Sequence, residues 1–297
     1  MIKLGESNAY PDRYDPSLLE AIPRSLARSQ LPHRADGEPI EFLGFDLWTA
    51  FELSWLQRNG FPVCYIAEIY VPANSTAICE SKSLKYYLNS LNQQRFALPS
   101  DAVALIKQDL QAIVGQHVEI KIFEIDDYHR RSPSDKSKYR LLEQELDTGD
   151  ALSIDDNSQP EALAAKLYGG DSPDDSADDS GLIANTRAPE GFYASHLLKT
   201  NCPLTGQPDW ASLFIGVKGT QPNPVALLRY IVSYRSHQDY HEHCVERIFS
   251  DLLLNLEPEE LYVYARYTRR GGIDINPLRR TEGWENYLID NFATFRQ

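Results

Sequence analysis

The two halves of this 297-residue chain are weak copies of one another. Three pairs of segments match at nearly the same offset: SLKYYLNSLN (83–92) with ALLRYIVSYR (226–235), KQDL (107–110) with FSDL (249–252), and VEIKI (118–122) with ELYVY (260–264). The first pair aligns Tyr87 with Tyr230 and Ser90 with Ser233. Self-similarity at so long a period predicts a duplicated domain rather than a solenoid of short repeats.

An acidic segment separates the two halves. Residues 147–179 carry ten acidic side chains and one basic side chain, and they supply −9 of the net charge of −14. Ser, Gly and Pro are frequent and no apolar periodicity is visible, which favours a solvated linker. A calcium loop is the alternative, although the acidic positions do not follow EF-hand spacing. We therefore predict an N-terminal module over 1–145, a linker over 146–188 and a C-terminal module over 189–297.

Charge and composition exclude several classes of protein. The net charge of −14 argues against direct binding of nucleic acid, because phosphate neutralisation needs a surplus of Lys and Arg. No apolar run is long enough to span a membrane and the N-terminus has no apolar leader, so we expect a cytoplasmic protein. The four cysteines form no CxxC pair, which predicts free thiols rather than a disulfide framework.

The spacing of apolar residues predicts an antiparallel α+β fold in each half. For the first half we expect strands over 42–56, 63–71 and 118–125, a helix over 84–91, and a second helix from an N-cap at Ser100 to a stop at Gly115. For the second half we expect strands over 192–199, 211–217, 225–234 and 261–268, and a helix over 239–256. This order of elements differs from an alternating βαβ fold.

The segment ESKSLKYY (80–87) is a candidate ligand site. If a helix begins near Ser81, Lys82 and Lys85 lie on its first turn, where the helix dipole disfavours cations. A phosphate held by amide groups and both ammonium groups would explain this placement, and two solvated lysines on the polar face are the alternative. Glu80 is favourably placed at such a helix N-terminus with or without a ligand.

A second candidate is TNCPLTGQPDWA (200–211), a polar loop between two predicted strands. Cys202 and Asp209 lie near its opposite ends and could approach each other. That would pair a candidate nucleophile with a carboxylic acid that donates and accepts protons. The alternative is an inert buried thiol beside a turn-forming aspartate.

The segment DYHEHC (239–244) concentrates titratable groups at the start of a predicted helix. Asp239 and Glu242 have the spacing of a capping box, which needs no further function. His241 lies at the buried end of the same helix. A metal site of His241, His243 and Cys244 is disfavoured, because residues two apart on a helix point in different directions.

A nucleotide would have to be bound without the usual glycine-rich motifs, since neither G-x-G-x-x-G nor a P-loop occurs. In YTRRGG (267–272), Arg269 and Arg270 follow a predicted strand and precede two glycines. Paired guanidinium groups beside flexible backbone suit a phosphate, and a solvated strand end is the alternative.

Taken together, these segments resemble the NADPH-dependent 7-cyano-7-deazaguanine reductases of queuosine biosynthesis, in their long, two-module form. ESKSLKYY looks like the signature segment of that family and TNCPLTGQPDWA like its catalytic loop, while DYHEHC and YARYTRRGGIDINP look like two further blocks in the same order. The resemblance covers most of the chain, apart from the acidic linker and the residues before the first predicted strand. It implies tandem tunnelling folds (T-folds), with antiparallel sheets each packed by two helices.

The resemblance also implies an activity, the reduction of the nitrile of 7-cyano-7-deazaguanine to the primary amine of 7-aminomethyl-7-deazaguanine with two NADPH and no metal. A thiol adds to the nitrile to form a covalent thioimide, which is reduced in two hydride steps. Long-form relatives look like homodimers. The implied site draws on both modules, so neither half should work alone.

Individual residues follow from the same resemblance. Cys202 is the expected nucleophile and Asp209 the expected proton donor. The expected substrate contacts are Cys79, Glu80, Ser81, His241 and Glu242, and the expected NADPH contacts are Ser81, Lys82, Arg270 and Gly271. A carboxylate is the natural bidentate acceptor for the N–H groups of a deazaguanine. Cys79 stands where the family commonly has an aliphatic residue, which leaves a side-chain or redox role open.

Two alternatives remain at this point. Within the same fold, a zinc-dependent pterin enzyme similar to GTP cyclohydrolase would need a Cys/His ligand set, and the sequence offers no convincing one. From a different class, a non-catalytic purine-binding module would leave Cys202 without a purpose.

Overall fold

The computed structural model describes residues 11–128, 138–145, 160, 183–284 and 291–297. The chain divides into two compact units, each assembled from separate stretches. The first unit comprises Met1–Ser25, Trp48–Arg131 and Arg270–Ile273, and the second comprises Leu26–Leu47, Ser132–Arg269 and Asp274–Gln297. Most of the acidic segment lies outside the described residues, so its interpretation as a linker and the module boundaries stay predictions.

The elements follow one another along the chain as strands and helices in alternating groups. The strands are β1 (Ala21–Pro23), β2 (Leu43–Gln57), β3 (Pro62–Pro72), β4 (Ala77–Cys79), β5 (Arg95–Phe96), β6 (Glu119–Phe123), β7 (Arg140–Leu141), β8 (Ile183–Asn201), β9 (Pro208–Pro222), β10 (Glu260–Tyr267) and β11 (Ile273–Arg280). The helices are α1 (Arg24–Arg28), α2 (Ser81–Ser90), α3 (Pro99–Val114), α4 (Ile125–Tyr128), α5 (Pro224–Ser233) and α6 (His241–Leu256), with 3₁₀ turns at Pro16–Leu18, Leu91–Gln93, Leu142–Gln144 and Tyr234–Ser236.

The two units have similar layouts. In the first unit, β3 lies between β2 and β6 and pairs with β6 in antiparallel register, and α2 and α3 follow the β2–β3 pair along the chain. In the second unit the strand order is β11-β10-β9-β8-β7, with antiparallel pairing from β8 to β11. Helices α5 and α6 follow the β8–β9 hairpin. The prediction of antiparallel sheets with helices is confirmed.

The internal repeat extends to individual hydrogen bonds. The Tyr87 hydroxyl donates to Asp109 Oδ2 at 2.6 Å in the first unit, and the Tyr230 hydroxyl donates to Asp251 Oδ2 at 2.5 Å in the second. In each unit the serine three residues after this tyrosine donates to the tyrosine carbonyl at 2.6 Å. The tyrosine–aspartate bond therefore joins the two long helices in both units, and the serine bond lies within the first helix of each pair.

The predicted strand over 225–234 is wrong, because residues 225–233 lie in helix α5 and Tyr234 begins the 3₁₀ turn that follows. The Asn223 side chain caps the helix by accepting from the N–H groups of Val225 and Ala226, and Pro224 occupies the first turn. A short apolar run fits a buried helix as well as a buried strand, and Asn-Pro was the signal that separates them. The repeat already pointed to the helix, since it aligns this segment with 83–92.

Two predicted helix starts also differ. Helix α3 begins at Pro99 rather than after an N-cap at Ser100, and Asp101 Oδ2 accepts from the Leu98 N–H at 3.1 Å. Its predicted stop at Gly115 is confirmed, with φ of 70°. The capping box of Asp239 and Glu242 does not form, because the N-cap of α6 is the intervening Tyr240.

Candidate active site

Cys202 lies in the turn that joins β8 to β9. Its N–H donates to the Gln207 carbonyl at 2.9 Å, and the Gly206 N–H donates to the Cys202 carbonyl at 2.9 Å. Gly206 has φ of 67°, a conformation that glycine adopts without steric cost. The thiol is partly exposed. The sequence therefore folds locally into a compact turn that presents this sulfur.

The surroundings of Cys202 favour its thiolate. Burial raises the pKa of the thiol, but hydrogen bonds from the Thr205 hydroxyl and from the N–H groups of Thr205 and Leu204 lower it and prevail. The nearby Asp209 opposes them, and the net pKa lies below the ordinary value for cysteine. Burial instead raises the pKa of Cys244 well above that value. The thiolate is the reactive form of a cysteine, so the lowered pKa favours that form for Cys202 and the raised pKa disfavours it for Cys244.

Asp209 lies at the start of β9, directly across from Thr200 of β8. Its side chain is only 5% exposed, and its Oδ2 lies 3.3 Å from Nε2 of His241. Because its charge also acts on Cys202, a thiol, a buried carboxyl group and an imidazole meet at one end of the hairpin. The predicted approach of Cys202 and Asp209 is thus present in the second unit.

His241 and Glu242 are the first two residues of α6. The imidazole stacks flat on the ring of Tyr267, with ring centroids 3.8 Å apart and planes 2° apart. Glu242 is 2% exposed. A carboxylate at the first turn of a helix is stabilised by the positive end of the helix dipole.

In the first unit, Glu80 is the N-cap of α2. Its carboxylate accepts from the N–H groups of Lys82 at 2.9 Å and Ser83 at 2.7 Å, and from the Ser81 hydroxyl at 3.3 Å. The first-turn amides expected to hold a phosphate are therefore occupied by this carboxylate, and that part of the prediction is wrong. Cys79 is buried, with Sγ 3.7 Å from the Ser83 hydroxyl.

Cationic side chains nevertheless gather at the same end of α2. Lys82 is exposed, with its ammonium group 5.6 Å from the centre of the Tyr86 ring. Gly271 has φ of 58°, and a Cβ atom there would lie 3.5 Å from Cδ of Lys85. Arg270 is the residue before this glycine. Side-chain cations beside flexible backbone suit the phosphates of a dinucleotide, so these residues fit NADPH.

The structure thus places the site residues in two groups. The first unit holds Cys79, Glu80, Ser81 and Lys82 together with Arg270 and Gly271, and the second holds Cys202, Asp209, His241 and Glu242. Sequence reasoning missed Thr205, which follows Cys202 in the loop, and Tyr267, which looks like any aromatic residue of a buried strand.

The described ranges also bear on metal binding and on membrane insertion. No group of three or more His, Cys, Asp or Glu residues there could hold a metal ion. His243, one of the disfavoured metal ligands, lies with its Nδ1 3.0 Å from Oδ1 of Asp239. In the same ranges no helix has the length and apolar character needed to cross a membrane.

Comparisons with known proteins agree over nearly the whole chain. Residues 10–122 match a family described as nitrile reductase, 7-cyano-7-deazaguanine-reductase N-term, and residues 208–285 match one described as QueF-like protein. A protein of Teredinibacter turnerae named NADPH-dependent 7-cyano-7-deazaguanine reductase is 46% identical, with 99% of this chain and 96% of that protein covered. Proteins of the same name are 42% identical in Hahella chejuensis and 43% identical in Saccharophagus degradans, over 99% and 95% of this chain and 97% and 95% of theirs.

One solved structure is also similar, the crystal structure of the archaeosine synthase QueF-Like in the apo form. It is 13% identical, the match covers 33% of this chain and 98% of that chain, and the TM-score is 0.31. This likeness is too weak to carry an argument about the fold.

Proposed function

Because the chain belongs to the family of the NADPH-dependent 7-cyano-7-deazaguanine reductases, we propose that it reduces the nitrile of 7-cyano-7-deazaguanine to a primary amine in queuosine biosynthesis. Its class is that of an NADPH-dependent oxidoreductase. The observation that carries the chemistry is the Cys202 thiol of lowered pKa beside the buried Asp209.

The proposed first step is addition of the Cys202 thiolate to the nitrile carbon. A carbon–sulfur bond forms, one π bond of the nitrile breaks, and its electron pair moves to nitrogen. Asp209 donates the proton that this nitrogen takes up, which gives a neutral thioimide. A nitrile accepts hydride poorly, whereas a protonated carbon–nitrogen double bond is electrophilic. Covalent addition therefore prepares the carbon for reduction.

His241 supports the acid in this scheme. Its Nε2 lies 3.3 Å from Asp209 Oδ2, close enough to orient the carboxyl group and to exchange a proton with it through small movements. Asp209 is almost fully buried, so direct reprotonation by bulk water is hindered, and the adjacent imidazole, whose side chain is 14% exposed, is the proposed route. We propose Glu80 and Glu242 as acceptors for the N–H groups of the deazaguanine, with Cys79 and Ser81 flanking Glu80.

Two molecules of NADPH, as co-substrate, supply one hydride each. Ser81, Lys82, Arg270 and Gly271 are the proposed contacts, and the cationic side chains neutralise its phosphates. Lys82→Glu should weaken NADPH binding more than nitrile binding. Lys121→Glu, at an exposed lysine on β6 of the same unit, is the control and should change neither. Equal losses of NADPH and nitrile binding in Lys82→Glu would contradict the assignment.

The finer architecture is proposed as two T-folds in a homodimer. Each unit has two long strands, then two long helices, then further strands, which is the order that the family resemblance implies. The dimer is an expectation from the family, and the molar mass from light scattering tests it.

The central experiment mixes the protein with 7-cyano-7-deazaguanine and measures intact mass, then adds NADPH and follows its loss of absorbance. We expect a covalent adduct and NADPH consumption. Cys202→Ala should abolish both, whereas Cys64→Ala, which removes a half-buried thiol on β3, should leave both intact. A purine-binding module would gain no covalent mass. NADPH consumption by Cys202→Ala would contradict the thioimide mechanism.

A further inference from the structure

The acid–imidazole pair of Asp209 and His241 is backed by an aromatic ring. Tyr267 covers one face of the His241 imidazole, with planes 2° apart and centroids 3.8 Å apart. On the edge of the same imidazole, Nε2 faces Asp209 Oδ2 at 3.3 Å. The imidazole is thus held by two different strands, since Asp209 belongs to β9 and Tyr267 to β10.

Tyr267 is itself firmly held. Its side chain is fully buried, its N–H donates to Asn276 Oδ1 at 3.1 Å, and its carbonyl accepts from Gln297 Nε2 at 2.7 Å. The strand register places it opposite Ala211, two residues along β9 from Asp209. The backbone that carries the acid and the backbone that carries the ring are therefore parts of one rigid ladder.

The far end of the tyrosine is enclosed as well. The hydroxyl lies near Thr200 and Cys244, both fully buried, and it makes no hydrogen bond within the described residues. Thr200 is the cross-strand partner of Asp209, and Cys244 lies on α6 three residues after His241. Cys244, with its raised pKa, thus acts as packing for this tyrosine and not as a reactive thiol.

We propose that Tyr267 is a positioning residue, whose ring face fixes the plane of the His241 imidazole so that Nε2 stays directed at Asp209. This rests on the proposed function, in which Asp209 is the acid. The torsion that turns an imidazole about its Cβ–Cγ bond is soft, so a histidine without such a restraint samples a range of ring planes. The flat contact confines that range, while the tyrosine hydroxyl plays no part in the chemistry.

The test compares Tyr267→Phe, which keeps the ring, with Tyr267→Leu, which removes it. We expect Tyr267→Phe to retain kcat within about twofold and Tyr267→Leu to lose roughly 10- to 100-fold, the penalty typical of a misplaced catalytic group. KM for the nitrile should change less than kcat, because Glu80 and Glu242, the proposed acceptors for the deazaguanine N–H groups, are unaltered. The rate of adduct formation in a single turnover should fall by the same factor as kcat, since the proton is needed in that step.

Tyr262→Leu is the matched control. Tyr262 is buried on the same strand, but it points to the opposite face, where it packs against Trp284. It should lower the melting temperature without slowing adduct formation. Should Tyr267→Leu fail to fold, Tyr267→Met fills the space with a flexible side chain that has no ring face, and it should show the same kinetic loss.

Three results would overturn the proposal. Equal losses in Tyr267→Phe and Tyr267→Leu would transfer the role to the hydroxyl. Wild-type rates in Tyr267→Leu would show that the ring has no positioning role. Equal slowing of adduct formation in Tyr262→Leu would show that the loss in Tyr267→Leu comes from a destabilised strand. Absence of an adduct in the unmodified protein would instead refute the proposed function, and the two failures are therefore distinguishable.

Discussion

The two units use the same pair of long helices but begin them differently. Glu80 caps α2 and Asn223 caps α5, and each side chain accepts from the backbone N–H groups two and three residues later. Asn223 performs this task without a charge, so capping alone does not require the carboxylate of Glu80. The second helices differ in the same way, since α3 begins with Pro99 and α6 with His241. The two units therefore share the helix pair and differ in the charged and titratable groups at the helix starts.

The hairpins before the helices repeat this contrast. Each turn contains a glycine with positive φ, 89° at Gly60 and 67° at Gly206, and each second strand begins with a proline. The residue after that proline is Val63 in the first unit and Asp209 in the second. The repeat is preserved where the fold needs it and broken at residues that we assign to chemistry. Comparing the two units of a duplicated protein thus separates the residues that the fold needs from those that we assign to chemistry.

The largest effect is expected from Asp209→Asn, which tests whether the difference between the two hairpins is catalytic. Without a donor acid, kcat should fall by roughly 10²- to 10⁴-fold, the usual range for general acid catalysis, while the protein stays folded. NADPH oxidation in the presence of the nitrile measures the loss. Val63→Asn, at the corresponding position of the first unit, should leave kcat unchanged, and a wild-type rate for Asp209→Asn would remove Asp209 from the mechanism.

A smaller effect is expected from changing the charge of the caps. Glu80→Gln should raise KM for the nitrile by roughly 10- to 100-fold, because a charge-assisted hydrogen bond contributes about 1.5–3 kcal/mol. It should cost about 1 kcal/mol of stability as well, because glutamine is a poor N-cap. Asn223→Asp in the other unit should alter stability slightly and kinetics not at all. If Glu80→Gln changed only the melting temperature, Glu80 would be a cap and nothing more.

The turn that carries Cys202 can be tested through the thiol alone. The Thr205 hydroxyl helps to lower the pKa of Cys202, so Thr205→Val should raise that pKa and move the pH dependence of alkylation by iodoacetamide to higher pH. At neutral pH the alkylation rate should fall several-fold, because less thiolate is present. Thr205→Ser keeps the hydroxyl and should resemble the unmodified protein. An unchanged pH dependence of alkylation in Thr205→Val would show that the backbone amides, and not the hydroxyl, lower the pKa of Cys202.

The smallest effect concerns the ends of the second helices. Gly115 ends α3 with φ of 70°, and Glu257 ends α6 with φ of 44°. A left-handed backbone costs a residue with a Cβ roughly 1–2 kcal/mol, so Glu257→Gly should stabilise the protein by about 0.5–1 kcal/mol. Gly115→Ala should destabilise it, because its Cβ would lie 2.4 Å from the Thr76 hydroxyl. The midpoint of urea unfolding tests both variants. If the two variants shifted this midpoint in the same direction, the result would contradict the argument.

Much of the fold could be predicted from the sequence because its signals are local. Alternating and 3.6-residue apolar patterns depend on a few neighbouring residues. In the part of the chain that the structure describes, they predicted the main strands and three of the four helices α2, α3, α5 and α6. Helix α5 was missed because a short, uniformly apolar run has no visible period, so its composition fits either structure. Its cap at Asn223 and the following proline were better indicators than the run itself.

The candidate site was predictable only in part. Cys202 and Asp209 are close in sequence, so their approach across a turn followed from the loop. The position of Gly271 beside Lys85 depends on long-range folding, and the occupation of the α2 amides by Glu80 depends on a side-chain conformation. Tyr267 could not be distinguished from other aromatic strand residues in the sequence, since its proposed role depends on its contact with the His241 ring in the folded structure.

The segment Arg270–Ile273 belongs to the first compact unit although Ser132–Arg269 of the second unit precedes it along the chain. A ribosome must therefore synthesise that stretch of the second unit before the first unit has all of its parts. A truncated chain that ended after β10 would lack the guanidinium of Arg270 and the backbone of Gly271. Premature termination before Arg270 would thus leave the first unit incomplete, although most of that unit had already been translated.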